Sequence, residues 1–472
     1  MKTLHRKPKN FIGLLLVILC TFLVSACCHR KYLTKSTITS WCEYPCTEIP
    51  KDTAIILWRK PGVSVQDFER WKRDHHLTNG RPACRFCNDN DLELYEGVSI
   101  ELFGGTGGTS TCTVTSKDPC QPHGGGDDVV EYCYNIPIHI DRDSLTPKYQ
   151  NDTIPSQGGT TGSVVDLAVF DTGIDPAIKD KYTRRLAHPC YAEAALGWNF
   201  ANDNSTTDDD FPSQHGSKVA KFIVDQVRAY NNQRVNIIPV KIFDSQGNTS
   251  LFKILCAFSY AQHSGIKIIN ASFGFYWHDL YNPPGLFSDY IQTHLTANGI
   301  LLITSAGNRD ITEDTAVINS GFVSAADVRD LGKHPVYPAV LSAHYGNVLS
   351  VTTVFSPEDK ISLQQNHSRT FVSVGADADE TCTIRIDPPR NELCFQNPLT
   401  ASGEPVHGSS FATPIVAGRI AAFYDILTAG MGTTIDQALL LSRMQTQGLV
   451  KQSTGTVIPA NIKHGVYAPK KL

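Results

Sequence analysis

From Val164 onward the chain alternates two kinds of apolar pattern. Nearly unbroken apolar runs at 164–170, 235–243, 266–271, 299–304 and 348–354 have the length and composition of buried strands. Between them, Val219, Phe222, Ile223 and Val227 recur at helical spacing, and 251–263 and 287–297 fill the next gaps. Ile415, Val416, Ile420, Phe423 and Ile426 mark a further helix. Repeated strand–helix–strand units predict an α/β fold of three layers, a mainly parallel sheet flanked by helices on both faces. Ligands of such sheets bind beyond the carboxyl ends of the strands, so those ends are where candidate chemistry is sought.

Upstream the pattern is different. A strand is expected at 54–58, a helix through Val65, Phe68, Trp71 and Lys72, and strands at 92–95, 98–100 and 136–140. Glycine-rich runs at 104–108 and 124–126 separate them as loops, and the first is not a phosphate-binding loop because no lysine and no helix pattern follow it. Residues 51–142 therefore read as a small α+β domain, 143–163 as a polar linker and 164–472 as the large α/β domain.

Composition adds less. With 472 residues, 41% hydrophobic and 19% charged, the chain is long enough for one large and one small domain, and its net charge of −4 gives no reason to expect a nucleic-acid partner. The start is informative: Lys2, Arg6, Lys7 and Lys9 precede an apolar run at 11–19 and the small residues Ser25 and Ala26, the layout of a signal peptide over 1–26. Leu23-Val24-Ser25-Ala26-Cys27 resembles the lipobox of bacterial lipoprotein signals. That resemblance implies lipidation of Cys27, a tether over 27–50 and attachment to a membrane of the cell envelope, facing periplasm or exterior; secretion after ordinary cleavage is the alternative. Of 14 cysteines, twelve then remain in an exported chain, an even number suited to disulfides. The pairs Cys42/Cys46 and Cys84/Cys87 have zinc-like spacing, but export favours disulfides; Cys382 and Cys394 can close a local loop, and Cys256 reads as a buried thiol.

At the strand and helix ends stand four polar groups. Asp171 ends the first strand before Thr172-Gly173, and His215 opens the helix carrying Val219 and Phe222. Asn308 follows the strand at 299–304, and Ser409-Ser410 opens the helix carrying Pro414, a proline expected in a first turn where it breaks no hydrogen bond. Each alone is an ordinary turn or cap residue. Together, an aspartate that orients an imidazole, an imidazole that takes a serine proton and an amide that can donate to an oxyanion are the parts of an activated nucleophile.

The sequences Asp171-Thr172-Gly173, His215-Gly216-Ser217-Lys218-Val219-Ala220, Ser305-Ala306-Gly307-Asn308 and Gly408-Ser409-Ser410-Phe411-Ala412-Thr413-Pro414 resemble, in order, the four signatures of the subtilisin-like (subtilase) serine peptidases. The resemblance covers about residues 160–460. It implies a subtilisin-like fold, hydrolysis of polypeptide substrates, Ser410 as nucleophile, His215 as general base, Asp171 as its orienter, and Asn308 with the Ser410 N–H as oxyanion donors. Ser409 becomes a neighbour tolerant of threonine. Ser272, Phe273 and Gly274 resemble the family's substrate-binding strand, with Ser305, Ala306 and Gly307 as the other wall of the specificity pocket; the small residues there leave room for a sizeable apolar side chain. The small domain is loosely similar to a family propeptide, implying a partner that inhibits or assists folding, although its cysteines leave a retained accessory domain open. No cofactor and no metal ligand set is expected; calcium is the open alternative for the acidic loop of Asp203, Asn204, Asp208, Asp209 and Asp210, which otherwise reads as solvated.

Overall fold

The computed structural model describes residues 54–77, 91–96, 98, 125–126, 128–140, 154, 156, 163–187, 189, 192–276, 285–319, 321, 323–362, 364–384, 389–399 and 404–470. The signal and lipidation readings, including Cys27, the glycine-rich run at 104–108 and most of the strand expected at 98–100 lie outside these residues.

The small domain holds β1 (Ile55–Arg59), α1 (Val65–Asp74), β2 (Leu92–Tyr95), β3 (Gly125–Gly126) and β4 (Val130–Tyr134), with strand order β2-β1-β4-β3 and antiparallel pairing. Alternation along β1 sends Ile55 and Leu57 against Phe68 and Trp71 of α1, and Ile56 and Trp58 into the core of the large domain. The next strand departs from expectation. β5 (Pro137–His139) does not join the small sheet; it pairs antiparallel with a strand of the large domain, Ile138 opposite Thr249.

The large domain continues with β6 (Val164–Asp171), α2 (Pro176–Tyr182), β7 (Trp198–Asn199), α3 (His215–Tyr230), β8 (Arg234–Lys241), β9 (Asn248–Ser250), α4 (Leu251–His263), β10 (Ile268–Ala271), β11 (Phe275–Tyr276), α5 (Gly285–His294) and β12 (Leu301–Ser305). After α6 (Ile311–Asn319) come β13 (Val336–Tyr337), β14 (Val348–Val354), β15 (Val374–Asp377), β16 (Glu380–Ile384), β17 (Arg390–Gln396), β18 (Pro405–His407), α7 (Ser409–Ala422), α8 (Tyr424–Thr428), α9 (Gln437–Thr446), β19 (Lys451–Gln452), α10 (Val457–Asn461) and β20 (Val466–Ala468). Residues 310–328, with α6 and a cluster of Val317, Val323 and Val328, belong to a separate unit.

A nine-stranded sheet runs β19-β20-β15-β14-β12-β10-β6-β8-β7 and is parallel except at its β19–β20 edge. Along β6, Leu167 and Val169 join the layer containing α3 and α7, while Ala168 and Phe170 join the layer containing α4 and α5. This is the subtilisin-like three-layer α/β architecture. The chain steps from β6 to β8 on one side and to β10 on the other, so the sheet changes direction at β6. Asp171 lies at the carboxyl end of that strand, where a crevice is topologically expected. Cys382 and Cys394 are disulfide-bonded across β16 and β17, with Cα atoms 5.8 Å apart. Cys256, expected as a thiol, is disulfide-bonded too, whereas Cys133 in β4 is a buried free thiol. Among the described residues no helix is long and apolar enough to cross a membrane.

Candidate active site

The carboxyl edge of the sheet brings the sequence-selected residues together in three linked pairs. Asp171 is buried, and its Oδ1 is 2.8 Å from His215 Nδ1 while also accepting from Thr172 N–H at 2.8 Å. The first turn of α3 is fixed to the same place because Thr172 Oγ1 accepts from Gly216 N–H at 2.9 Å. Burial by itself depresses the His215 pKa; the charge and hydrogen bond of Asp171 outweigh it, so the imidazole holds its proton above its ordinary value.

Ser410 lies in the first turn of α7 and is 8% exposed, whereas its neighbour Ser409 is fully buried. Pro414 stands in the second turn, not the first, and so removes the N–H that would bond the Ser410 carbonyl. Ser272 replaces that donor: its Oγ donates to Ser410 O at 2.8 Å, and in return Ser410 Oγ donates to Ser272 O at 2.9 Å. This reciprocal pair ties the end of β10 to the start of α7. His215 is next to the same helix through Phe411, whose ring centroid is 5.3 Å from its own.

Asn308, after β12, is gripped from α7. Its Oδ1 accepts from Ser409 N–H at 2.8 Å and lies 3.0 Å from Ser409 Oγ, which is also 3.1 Å from Gly307 O. With the oxygen engaged, the amide nitrogen is left as the free pole of the side chain. Gly408 has φ +105°, and a Cβ there would meet Asn308 Nδ2 at 2.8 Å, so only glycine allows this approach. The backbone of Asn308 is held as well, its carbonyl accepting from Tyr276 Oη at 2.6 Å.

Several contributors were not selected from sequence. Asp209, in the acidic loop, is half-buried beside Thr172 and Ser217: Oδ1 accepts from Thr172 Oγ1 at 2.9 Å, and Oδ2 accepts from Ser217 N–H and Oγ at 2.9 and 2.7 Å. Burial and, to a smaller extent, repulsion from Asp171 push its pKa up to about 6 against the donors that hold it down. Lys241, buried at the end of β8 opposite Asp171 in the register, donates to Thr172 O and to Asp210 Oδ1, and Lys179 pairs with Asp208. The loop is solvated at Asp203, Asn204, Asp208 and Asp210, as read, and is in addition anchored by lysines and hydroxyls. A lysine inside the apolar run 235–243 was the available signal, since a buried ammonium needs an anion. The cavity of about 570 Å³ bounded by Val164, Asp166, Arg184 and Arg234 lies at the opposite, amino-terminal ends of β6 and β8 and takes no part in this arrangement.

The fold and this edge define an α/β protein with an Asp–His pair, a helix-start serine and an oriented amide at one edge of the sheet. Residues 162–455 match the model of the subtilase family, and the chain belongs to that family. It is 25% identical over 317 residues to subtilisin NAT of Bacillus subtilis subsp. natto, covering 65% of each chain. Over 113 residues it is 34% identical to the cell wall-associated protease of Bacillus subtilis strain 168, covering 23% of this chain and 12% of that protein. It therefore spans less than two thirds of the length of these curated relatives. Among solved structures, the crystal structure of a lanthipeptide protease is similar with TM-score 0.43 and 19% identity, over 64% of this chain and 85% of that one.

Proposed function

We propose that the chain is an exported, lipid-anchored serine endopeptidase that hydrolyses peptide bonds through an acyl-enzyme on Ser410. The observation that carries the reading is the Asp171–His215 pair, 2.8 Å apart, at the same sheet edge as Ser410 and Asn308. Asp171 keeps His215 Nδ1 protonated, leaving Nε2 to take the Ser410 proton and return it to the leaving amine. Asn308 Nδ2 and the Ser410 N–H stabilise the oxyanion. Ser272 to Gly274 accept an extended substrate strand by backbone pairing. A substrate N–H that takes the Ser272 carbonyl displaces the Ser410 hydroxyl now bonded there, freeing it for His215. Substrate docking and nucleophile release are then one event.

The small domain fits the role of an inhibitor. At its end, Ile140 N–H donates to Gly247 O at 2.9 Å and β5 adds to the edge of β9, as a bound peptide strand would. Ile140 and the ring of Phe211, four residues before His215, both lie against Gly247. Export is supported by the signal pattern and by the Cys382–Cys394 disulfide; anchoring rests on Cys27, and Cys27→Ser should release the protein from membranes.

The test is labelling by a fluorophosphonate together with peptide hydrolysis. Wild type is labelled and active, Ser410→Ala is neither, and labelling that survives the substitution removes Ser410 from the role of nucleophile.

A further inference from the structure

The two walls expected to flank the specificity pocket each contain a glycine, and both glycines face the same side chain. A Cβ built on Gly274 would lie 2.6 Å from Val336 Cγ1, and one built on Gly307 would lie 3.0 and 3.1 Å from Val336 Cγ1 and Cγ2. Ordinary carbon contacts are about 3.5–4.0 Å. The space that the missing side chains leave open is therefore occupied by the isopropyl group of Val336, which is only 1% exposed.

Val336 cannot step aside. β13 pairs antiparallel with β11, setting Val336 opposite Tyr276 directly after the Gly274 wall. Tyr276 reaches across to the Asn308 carbonyl, and its ring stacks on His334 with centroids 4.1 Å apart. The opposite wall is equally fixed: Asn366 Nδ2 donates to Ala306 O at 3.0 Å, and Arg329 holds Asn366 Oδ1 at 2.8 Å. Neither wall has freedom to widen the slot.

We infer that Val336 is a specificity-determining residue that floors the pocket and restricts the substrate residue on the acyl side of the scissile bond, P1, to small side chains such as alanine, glycine or serine. This runs against the expectation that Ala306, Gly307 and Gly274 leave room for a sizeable apolar side chain. The inference rests on the peptidase reading of the site but is separable from it. The experiment compares kcat/KM of the full chain on peptide p-nitroanilides differing only at P1, alanine against phenylalanine, in wild type, Val336→Ala and Val336→Gly. One or two methylene-sized steps of pocket depth change discrimination by about 10–200-fold. Wild type should favour P1 alanine by at least about tenfold, and Val336→Gly should shift the ratio toward phenylalanine by about tenfold or more, with Val336→Ala between. Fluorophosphonate labelling at the wild-type rate certifies a folded site in each variant, and where hydrolysis is too slow to rank, the same ratio is read from peptide aldehydes with P1 alanine or phenylalanine competing with that label. Equal or faster cleavage after phenylalanine by wild type, or an unchanged ratio in both labelled variants, overturns the inference while leaving the peptidase reading intact. Loss of Ser410-dependent labelling in wild type overturns the latter instead.

Discussion

Asn308 is held by its oxygen so that its nitrogen is presented, and Ser409 provides both bonds that do this. Ser409 is fully buried, so its tolerance of threonine depends on whether the extra methyl fits; a residue without a hydroxyl loosens the amide. As a donor used mainly in the transition state, Asn308→Ala should lower kcat by roughly 10²–10³-fold with KM little changed, measured by steady-state kinetics. A rise in KM alone would remove it from that role. Asp209 makes a different kind of prediction. Its folded pKa of about 6 exceeds the ordinary 3.8, so the native state retains a proton that the unfolded state has lost. The stability it contributes is full below about pH 4 and is lost as pH rises through about 6, on the order of 3 kcal/mol at 1.36 kcal/mol per unit. Asp209→Asn keeps an acceptor for Ser217 and can turn its Nδ2 to Thr172. Denaturant midpoints from pH 4 to 7 should fall more steeply for wild type than for this variant; parallel curves would locate the slope elsewhere.

At the scale of elements, what was legible in the sequence was whatever depends on local pattern. The strands at β6, β8, β10, β12 and β14 and the helices α3, α4 and α7 follow from apolar runs and helical spacing, and the site motifs sit at their ends because the sheet is parallel. The misses are tertiary. β5 has the alternation of a strand, yet no pattern states that its partner is β9, more than a hundred residues away. Pro414 falls one turn deeper than expected, and the helix tolerates it because Ser272, on another element, donates to the orphaned carbonyl. The acidic loop is anchored because Lys241 and Lys179 come to it from β8 and α2. Val336 is one apolar residue among many until folding sets it between two glycines.

At the scale of the whole molecule, the small sheet is a wall shared by two cores. Trp58 packs edge-on against Tyr290 of α5 with centroids 5.4 Å apart, and Ile56, Leu92 and Leu94 join the same cluster, so docking is driven mainly by apolar burial. Set into this contact are two carboxylates, Glu131 of β4 and Asp289 of α5, and the charge of the second acts on the first. Burial, then the charge of Asp289, push the Glu131 pKa up to about 7, against the weaker pull of Lys60 at 3.6 Å. Separated, Glu131 returns to its ordinary 4.5. Its contribution to docking is therefore complete below about pH 4.5 and disappears as pH rises through about 7, where Glu131 would have to ionise in this buried contact. The small domain should grip in acid and loosen at neutral to alkaline pH, by no more than about tenfold per pH unit. Hydrogen exchange of β1 and β4 amides in the full chain, corrected for intrinsic rates, should show protection falling from pH 5 to 8. Glu131→Gln, which does not ionise, should flatten that dependence. If wild type and variant lose protection in parallel, the carboxylate pair is not the element that senses pH, and apolar burial alone sets the grip.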